Sequence, residues 1–216
     1  MKRIWIILLC MPIISNAQPE DFGDWLAYFG NYQINKKWNL NNELQIRNYN
    51  LLGNIEQILI RGSIGYNLTD NNNNIALGYA FIHSEPYIGK NKSYNNENRI
   101  FQQFQTKQSF GRFNLTHRYR FEQRFFENND FRLRFRYALS LDVALNKKHI
   151  SDHCLYLSIY DEVFVNAIAN YFDRNRLFLG LGYRFTPQVR VNAGVLNQTT
   201  NALTRYQLSL STFVIF

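Results

Sequence analysis

Between Phe131 and Leu145 the chain alternates without a slip. Phe131, Leu133, Phe135, Tyr137, Leu139, Leu141, Val143 and Leu145 share one parity, and Arg132, Arg134, Arg136, Ala138, Ser140, Asp142 and Ala144 share the other. A helix would scatter both sets over every face, whereas a strand sends successive side chains to opposite sides. The same period recurs. Trp38, Leu40, Leu44 and Ile46 alternate with Asn39, Asn41, Glu43, Gln45 and Arg47, and Ile58, Ile60, Ile64 and Tyr66 with Gln57, Arg61 and Ser63. Phe113, Leu115, Tyr119 and Phe121 alternate with Asn114, Thr116, Arg118, Arg120 and Glu122. Leu177 to Phe185 alternates with Arg176, Gly180, Gly182 and Arg184. Weaker versions run over 25–34, 75–83, 97–110, 154–164 and 189–197.

Turn-forming residues separate these segments: Asn35-Lys36-Lys37, Asp70 to Asn74, Gly111-Arg112, Asn128-Asn129-Asp130 and Thr186-Pro187-Gln188. Longer gaps fall at 85–96 and 166–173. Each segment has about ten or more residues, enough for a tilted strand to cross a hydrocarbon layer. The last one, Tyr206, Leu208, Leu210, Thr212, Val214 and Phe216, alternates to a terminal aromatic residue. Such a strand looks like the signal read by barrel-assembly machinery, with Tyr206, Leu208, Leu210, Val214 and Phe216 as the membrane-insertion residues.

The polar parity decides between a soluble and a membrane sheet. A soluble sandwich or lipocalin-like protein also alternates, with its apolar face on a core. Here the polar face carries Arg on strand after strand, a pattern that suits a wet lumen better than an open surface. In lipid such a sheet must close, because an unpaired edge would strand its backbone groups. The expected fold is therefore all-β: a transmembrane antiparallel up-and-down β-barrel in the outer membrane of a Gram-negative bacterium, with a periplasmic sandwich or lipocalin-like binding protein as the rival. Trp25, Trp38, Tyr49, Tyr66 and Phe125 fit aromatic girdles at the two interfaces.

The pattern gives eleven strands, whereas bacterial single-chain barrels have even numbers. Working back from Phe216, the gaps at 85–96 and 166–173 become extracellular and the turns at Gly111 and Pro187 periplasmic, leaving 25–34 starting on the wrong side. Ten or twelve strands meet both constraints, and twelve is the first choice.

Mean hydropathy is only -0.34 despite 16% aromatic residues, as expected when one side chain in two faces lipid. Lys2 and Arg3, the apolar stretch Ile4 to Ile14 and Ser15-Asn16-Ala17 read as a signal peptide over 1–17, cleaved before Gln18, with the barrel domain over 18–216. The formal charge of +8 falls to +6 when Lys2 and Arg3 leave. Its Arg residues are dispersed through alternating segments, which argues against nucleic acid. The mature chain keeps Cys154 alone, so no internal disulfide is expected.

Three segments carry a family resemblance: Glu97-x-Arg99-x-x-Gln102-Gln103, His117-Arg118-x-Arg120-x-Glu122-Gln123-Arg124-Phe125 and Arg132-x-Arg134-x-Arg136-Tyr137, together with Asn175-Arg176 and Gly180-x-Gly182-Tyr183. The chain resembles, from about Trp25 to its end, uncharacterised outer-membrane barrel proteins grouped as a domain of unknown function. The resemblance implies the fold and location, and no reaction.

The chemistry lies on the polar parity. The expected lumen-lining residues are Glu97, Arg99, Arg118, Arg120, Glu122, Arg124, Arg132, Arg134, Arg136, Arg176 and Arg184. The wider inward set adds Arg47, Arg61, Lys107, Arg174, Arg190 and Arg205 against Glu43, Asp142 and Glu162. In a narrow barrel these can form a packed, paired interior, since an unpaired buried charge is costly. Alternatively the Arg excess makes a narrow anion-preferring pore. A lipid-modifying enzyme is the third reading. His83-Ser84-Glu85 superficially suggests a catalytic set, but neighbours on a strand point to opposite faces. His117 falls on the apolar face, and His149 and His153 in a polar turn. No metal or cofactor motif occurs. Outer-membrane lipid, the barrel-assembly machinery and small anions are the expected partners, and Gly180 and Gly182 are expected to make room for opposing Arg side chains or a bend.

Overall fold

The computed structural model describes residues 22–70, 72–168 and 170–216. The expected signal peptide at 1–17 lies outside them. Among the described residues every element is a strand. The wall consists of β1 (Phe22–Gln33), β2 (Trp38–Asn50), β3 (Gly53–Asn67), β4 (Asn73–Ser84), β7 (Asn95–Phe110), β8 (Phe113–Phe126), β9 (Phe131–Ala144), β10 (Cys154–Asn166), β11 (Phe172–Arg184), β12 (Val189–Thr200) and β13 (Thr204–Ile215). A small hairpin, β5 (Tyr87–Ile88) and β6 (Asn91–Lys92), sits in the connection between β4 and β7.

The eleven wall strands form one closed barrel. Each pairs antiparallel with its wall neighbour along the chain, and β1 closes on β13 in parallel, from Phe22 opposite Tyr206 to Asn31 opposite Ile215. The parallel seam follows from the count. Strands that alternate direction leave the first and last running the same way whenever their number is odd. The eleven segments of the sequence pattern are thus all wall strands. The even-number rule, which moved the expectation to ten or twelve, does not hold here, because 22–33 completes the wall through its parallel partner.

The strand directions define two ends. Phe22 and the connections after β2, β4, β8, β10 and β12 lie at one, called here the loop end. Phe216 lies at the other, the turn end, where its N–H donates to Asn31 O at 2.8 Å and its O accepts from Gln33 N. The gaps at 85–96 and 166–173 share the loop end, and the turns at Gly111 and Pro187 share the turn end. The long connection 145–153 also falls at the turn end, so length alone does not separate the two. Gly111 and Asn129 adopt positive φ (60° and 62°), as tight reversals require.

The apolar rows stand on the outside of the barrel. Leu44, Ile60, Leu77, Ile100, Tyr119, Phe135, Leu179 and Leu208 are all exposed, Leu179 at 56%. Polar side chains among them pair with each other. Gln102 and Gln123 exchange two hydrogen bonds (3.0 and 3.4 Å), and the Tyr137 hydroxyl meets His117 Nδ1 at 2.9 Å. Trp38 packs edge-on against Tyr66 at the turn end and Phe125 against Phe131 at the loop end, both on the exterior. Two of the expected girdle residues are elsewhere. Trp25 points into the lumen, 5% exposed. Tyr49 sits at the loop-end mouth, on the inward parity of Glu43, Gln45 and Arg47, its hydroxyl donating to Glu85 O at 3.2 Å beneath Tyr87.

The lumen is filled by side chains. Trp25, Ala27, Phe178 and Leu196 form one apolar cluster, flanked by Phe29 and Tyr160, and Leu59, Ala80 and Ile82 another. Inward glycines lie under aromatic rings. Gly78 is covered by Phe101, Gly180 by Phe178 and Gly182 by Tyr156. The room at Gly180 and Gly182 therefore serves aromatic rings rather than the expected Arg side chains.

Candidate functional site

Three neighbouring strands build the centre of the interior. On β8 Glu122 faces Arg134 of β9, and on β10 Glu162 faces Ala138 of β9. Glu122 is 1% exposed. Its Oε2 accepts from Arg134 Nη2 (2.6 Å) and Nε (3.0 Å), and its Oε1 accepts from Arg136 Nη1 (2.6 Å). Arg136 turns its remaining donors to Glu162 Oε1, Nε at 3.0 Å and Nη2 at 2.7 Å. Arg118 Nη2 reaches the same oxygen at 2.8 Å from two strands away. Ala138 makes that reach possible, since it stands in register between Arg118 and Glu162 and offers only a methyl group.

The lattice extends from this knot. Glu97 accepts from Nε and Nη2 of Arg124, at 2.6 and 3.0 Å, and again from Arg99. Arg134 Nη1 donates to Asp173 at 2.7 Å, which also holds Arg174. Glu43 accepts from Arg61 at 2.8 Å. Charge-assisted, forked pairs of this kind are the strong form of the interaction.

Carboxylates do not serve every arginine. Arg47 Nη2 donates to Gln45 at 2.8 Å and Arg176 Nε to Gln198 at 2.8 Å; neither has a carboxylate in salt-bridge contact among the described residues. Aromatic platforms hold them instead. The Arg47 guanidinium lies 3.6 Å from the centre of Trp25, and Arg176 lies 4.7 Å from Trp25 and 4.6 Å from Phe164. Phe164 also carries Arg136 at 4.4 Å, and Phe101 carries Arg120 at 4.6 Å. Such stacking stabilises a desolvated guanidinium without neutralising it.

A cavity of about 170 Å³ opens among these groups toward the loop end, lined by eight arginines and one glutamate, with Gln57, Ser84 and Asn95 near its mouth. At that end Glu85 accepts from Lys92 at 2.6 Å and lies 3.5 Å from His83 Nε2. The hydrogen bond from Lys92, and secondarily the neighbouring His83, hold the Glu85 carboxyl below its ordinary range. On the side of β1 to β4 the turn half differs in chemistry. There Asn31 donates to Asn41 (2.6 Å), Asn41 to Asn39 (3.0 Å), and Asn39 and Asn74 to Asn67 (3.3 and 2.8 Å), a neutral amide ladder.

Of the residues expected to line the lumen, Glu97, Arg99, Arg120, Glu122, Arg124, Arg134, Arg136 and Arg176 are buried in the interior, and Arg118 is half-buried beside them. Arg132 and Arg184 are not in the interior. Arg132 is exposed at the loop-end rim against Asp130, and Arg184 bonds the carbonyls of Thr186, Pro187 and Ile150 at the turn end. Parity fixes which way a side chain faces, not its height along the barrel. Sequence reasoning missed Asp173 and the platforms Trp25, Phe101 and Phe164. Phe101 and Phe164 share the parity of Arg99 and Glu162, which is the signal that would have found them. His83 Nδ1 meets Asn96 at 2.6 Å while Ser84 accepts from Gln57 at 2.7 Å, so the two do not form a pair. No group of ligands for a metal ion occurs among the described residues.

These features define a closed β-barrel with an apolar exterior and an arginine-rich, ion-paired interior. Residues 22–209 match the family described as Protein of unknown function (DUF2490), and the chain belongs to that family. No curated protein and no solved structure matches it.

Proposed function

We propose that this protein is an outer-membrane β-barrel whose lumen is occluded by its own ion pairs, a closed wall rather than an open pore. The observation that carries the reading is the inversion of the usual arrangement: exposed Leu, Ile and Phe rows outside, and buried Arg and Glu inside. Lipid accepts such an exterior and a water-facing surface does not. A lipocalin-like binding protein needs an apolar pocket inside, where this barrel keeps guanidinium groups. The outer row of the last strand, Tyr206, Leu208, Leu210, Val214 and Phe216, would serve recognition by assembly machinery and then contact lipid. The Glu122–Arg136–Glu162 knot, with Gln103 accepting from Arg120 at 2.6 Å, closes the middle. With His83 and Ser84 engaged separately, we assign no reaction.

Cell fractionation and planar-bilayer recording test this reading. The protein should partition with outer membrane, migrate differently before and after heating, and give no unitary conductance. Free periplasmic material would refute the membrane location. Steady anion-selective steps would instead support a conduit, the reading favoured by the arginine excess.

A further inference from the structure

The loop-end cavity has more positive charge than its surroundings balance. Around the cavity and the central knot, the ten arginines numbered 47, 61, 99, 118, 120, 124, 134, 136, 174 and 176 face five carboxylates, those of Glu43, Glu97, Glu122, Glu162 and Asp173, while Arg205 pairs with Glu56 and Arg190 with Asp142 outside this group. All five carboxylates already accept from at least one arginine. The two guanidiniums without one, Arg47 and Arg176, come from opposite parts of the wall, β2 and β11, and converge on Trp25. Both line the cavity. Arg47 and Arg61, 5% and 7% exposed, each also keep a buried Nε–H without an acceptor. A buried charged donor without a partner carries its full desolvation cost. The molecule holds such groups in place with aromatic rings and leaves a space beside them.

We propose that this cavity is a binding site for a phosphate-bearing ligand, gripped by Arg47 and Arg176. Charge selects the class. Two guanidiniums that no carboxylate touches match a phosphomonoester, whose charge is about -1.5 to -2 at neutral pH, better than a single carboxylate. Planar forks present paired N–H donors to tetrahedral oxygens, and the stacking on Trp25 and Phe164 fixes their planes before the ligand arrives. The mouth is at the loop end, near Ser84 and Asn95, so the ligand would enter from that side. The site goes beyond the occluded-wall reading without depending on it. A barrel that conducts and still binds phosphate would overturn only the wall.

The test uses the full mature chain folded in detergent and titrated calorimetrically with inorganic phosphate, with acetate at matched ionic strength as the monoanion. Phosphate should bind saturably and at least about tenfold tighter than acetate, and should raise the melting temperature. Arg47→Gln and Arg176→Gln should lose that binding. In phosphate-free buffer they should melt no lower than the parent, because a buried charge that no carboxylate touches has gone. Arg190→Gln, which removes a lumen arginine paired with Asp142 at 3.1 Å, should bind phosphate as the parent does. Equal affinity for acetate and phosphate, or unchanged phosphate affinity in Arg47→Gln, would overturn the proposal. Should Arg47→Gln fail to fold, Arg47→Lys keeps the charge and removes the fork. Phosphate affinity several-fold weaker in that variant supports the site, and unchanged affinity overturns it. Nanodiscs with and without phosphatidate give the second arm. Binding of inorganic phosphate points to a soluble phosphate, binding seen only with phosphatidate points to a lipid headgroup, and binding of neither overturns the site.

Discussion

Arg136 donates twice to one oxygen of Glu162, through Nε at 3.0 Å and Nη2 at 2.7 Å, while its Nη1 bonds Glu122 at 2.6 Å. One guanidinium thus ties β8 to β10 across the strand that carries it. The tie adds a side-chain link to the backbone ladders of these three adjacent strands.

The lattice should therefore be sensitive to the loss of either acid. Glu122→Gln leaves Arg134 and Arg136 buried with less compensation, and should destabilise the folded barrel by about 3–5 kcal/mol. Arg132→Gln, which breaks only the exposed pair with Asp130, should change stability by less than about 1 kcal/mol. Urea unfolding in detergent, followed by the mobility of folded and unfolded forms, compares the two.

The parallel seam can be tested by cross-linking. Leu26 and Leu210 lie opposite each other on the exterior rows of β1 and β13. In a Cys154→Ser background, Leu26→Cys with Leu210→Cys should be joined by a short bismaleimide in the folded protein and not in urea. A wall that left β1 out would give no cross-linked product.

Two glycines should respond unequally to the same change. A Cβ at Gly182 would enter the ring of Tyr156 and come within 2.6 Å of Asn192 Oδ1, whereas one at Gly62 meets nothing within 4 Å. Gly182→Ala should cost about 1–3 kcal/mol through overpacking. Gly62→Ala should lie within about 0.5 kcal/mol of the parent. The same unfolding assay measures both.

The Glu85 carboxyl titrates below its ordinary value of 4.5 because it accepts from Lys92. A depressed folded-state value stabilises the fold at pH above the unfolded value, and that stabilisation is lost as pH falls through the depressed one. Thermal melting should therefore separate the parent from Glu85→Gln at neutral pH, with the parent higher. The difference should vanish under strong acid. A difference that persisted there would mean that the hydrogen bond, not the charge, holds the β5–β6 hairpin against the mouth.

The sequence pattern located the wall strands because most of them bury one chemistry and expose another. Phe131 to Leu145 shows this best, with Arg134 and Arg136 inside and Phe135 and Tyr137 outside. β1 was faint for a physical reason. Trp25, Ala27 and Phe29 face the lumen while Leu26 and Tyr28 face outward, so both parities are apolar and alternation disappears. The partners of Trp25 were equally hidden, since Arg47 and Arg176 reach it from β2 and β11, and no local pattern encodes that meeting. Arg132 and Arg184 share the inward parity but lie at the two rims, because alternation carries no information about depth. The seam was implicit in the eleven segments of the pattern, but the even-number rule set that count aside, and one strand more or less reverses the direction in which the last strand meets the first.

That odd count has a consequence for rewiring the chain. In an even-stranded barrel a short hairpin can join the old ends, and new ones can be opened at any turn. Here Phe22 and Phe216 leave the sheet at opposite rims, so a covalent loop between them would have to traverse the full height of the wall, outside or through the packed interior. Circular permutants built with a brief linker should not close, whereas the same cuts co-expressed as two fragments can still assemble.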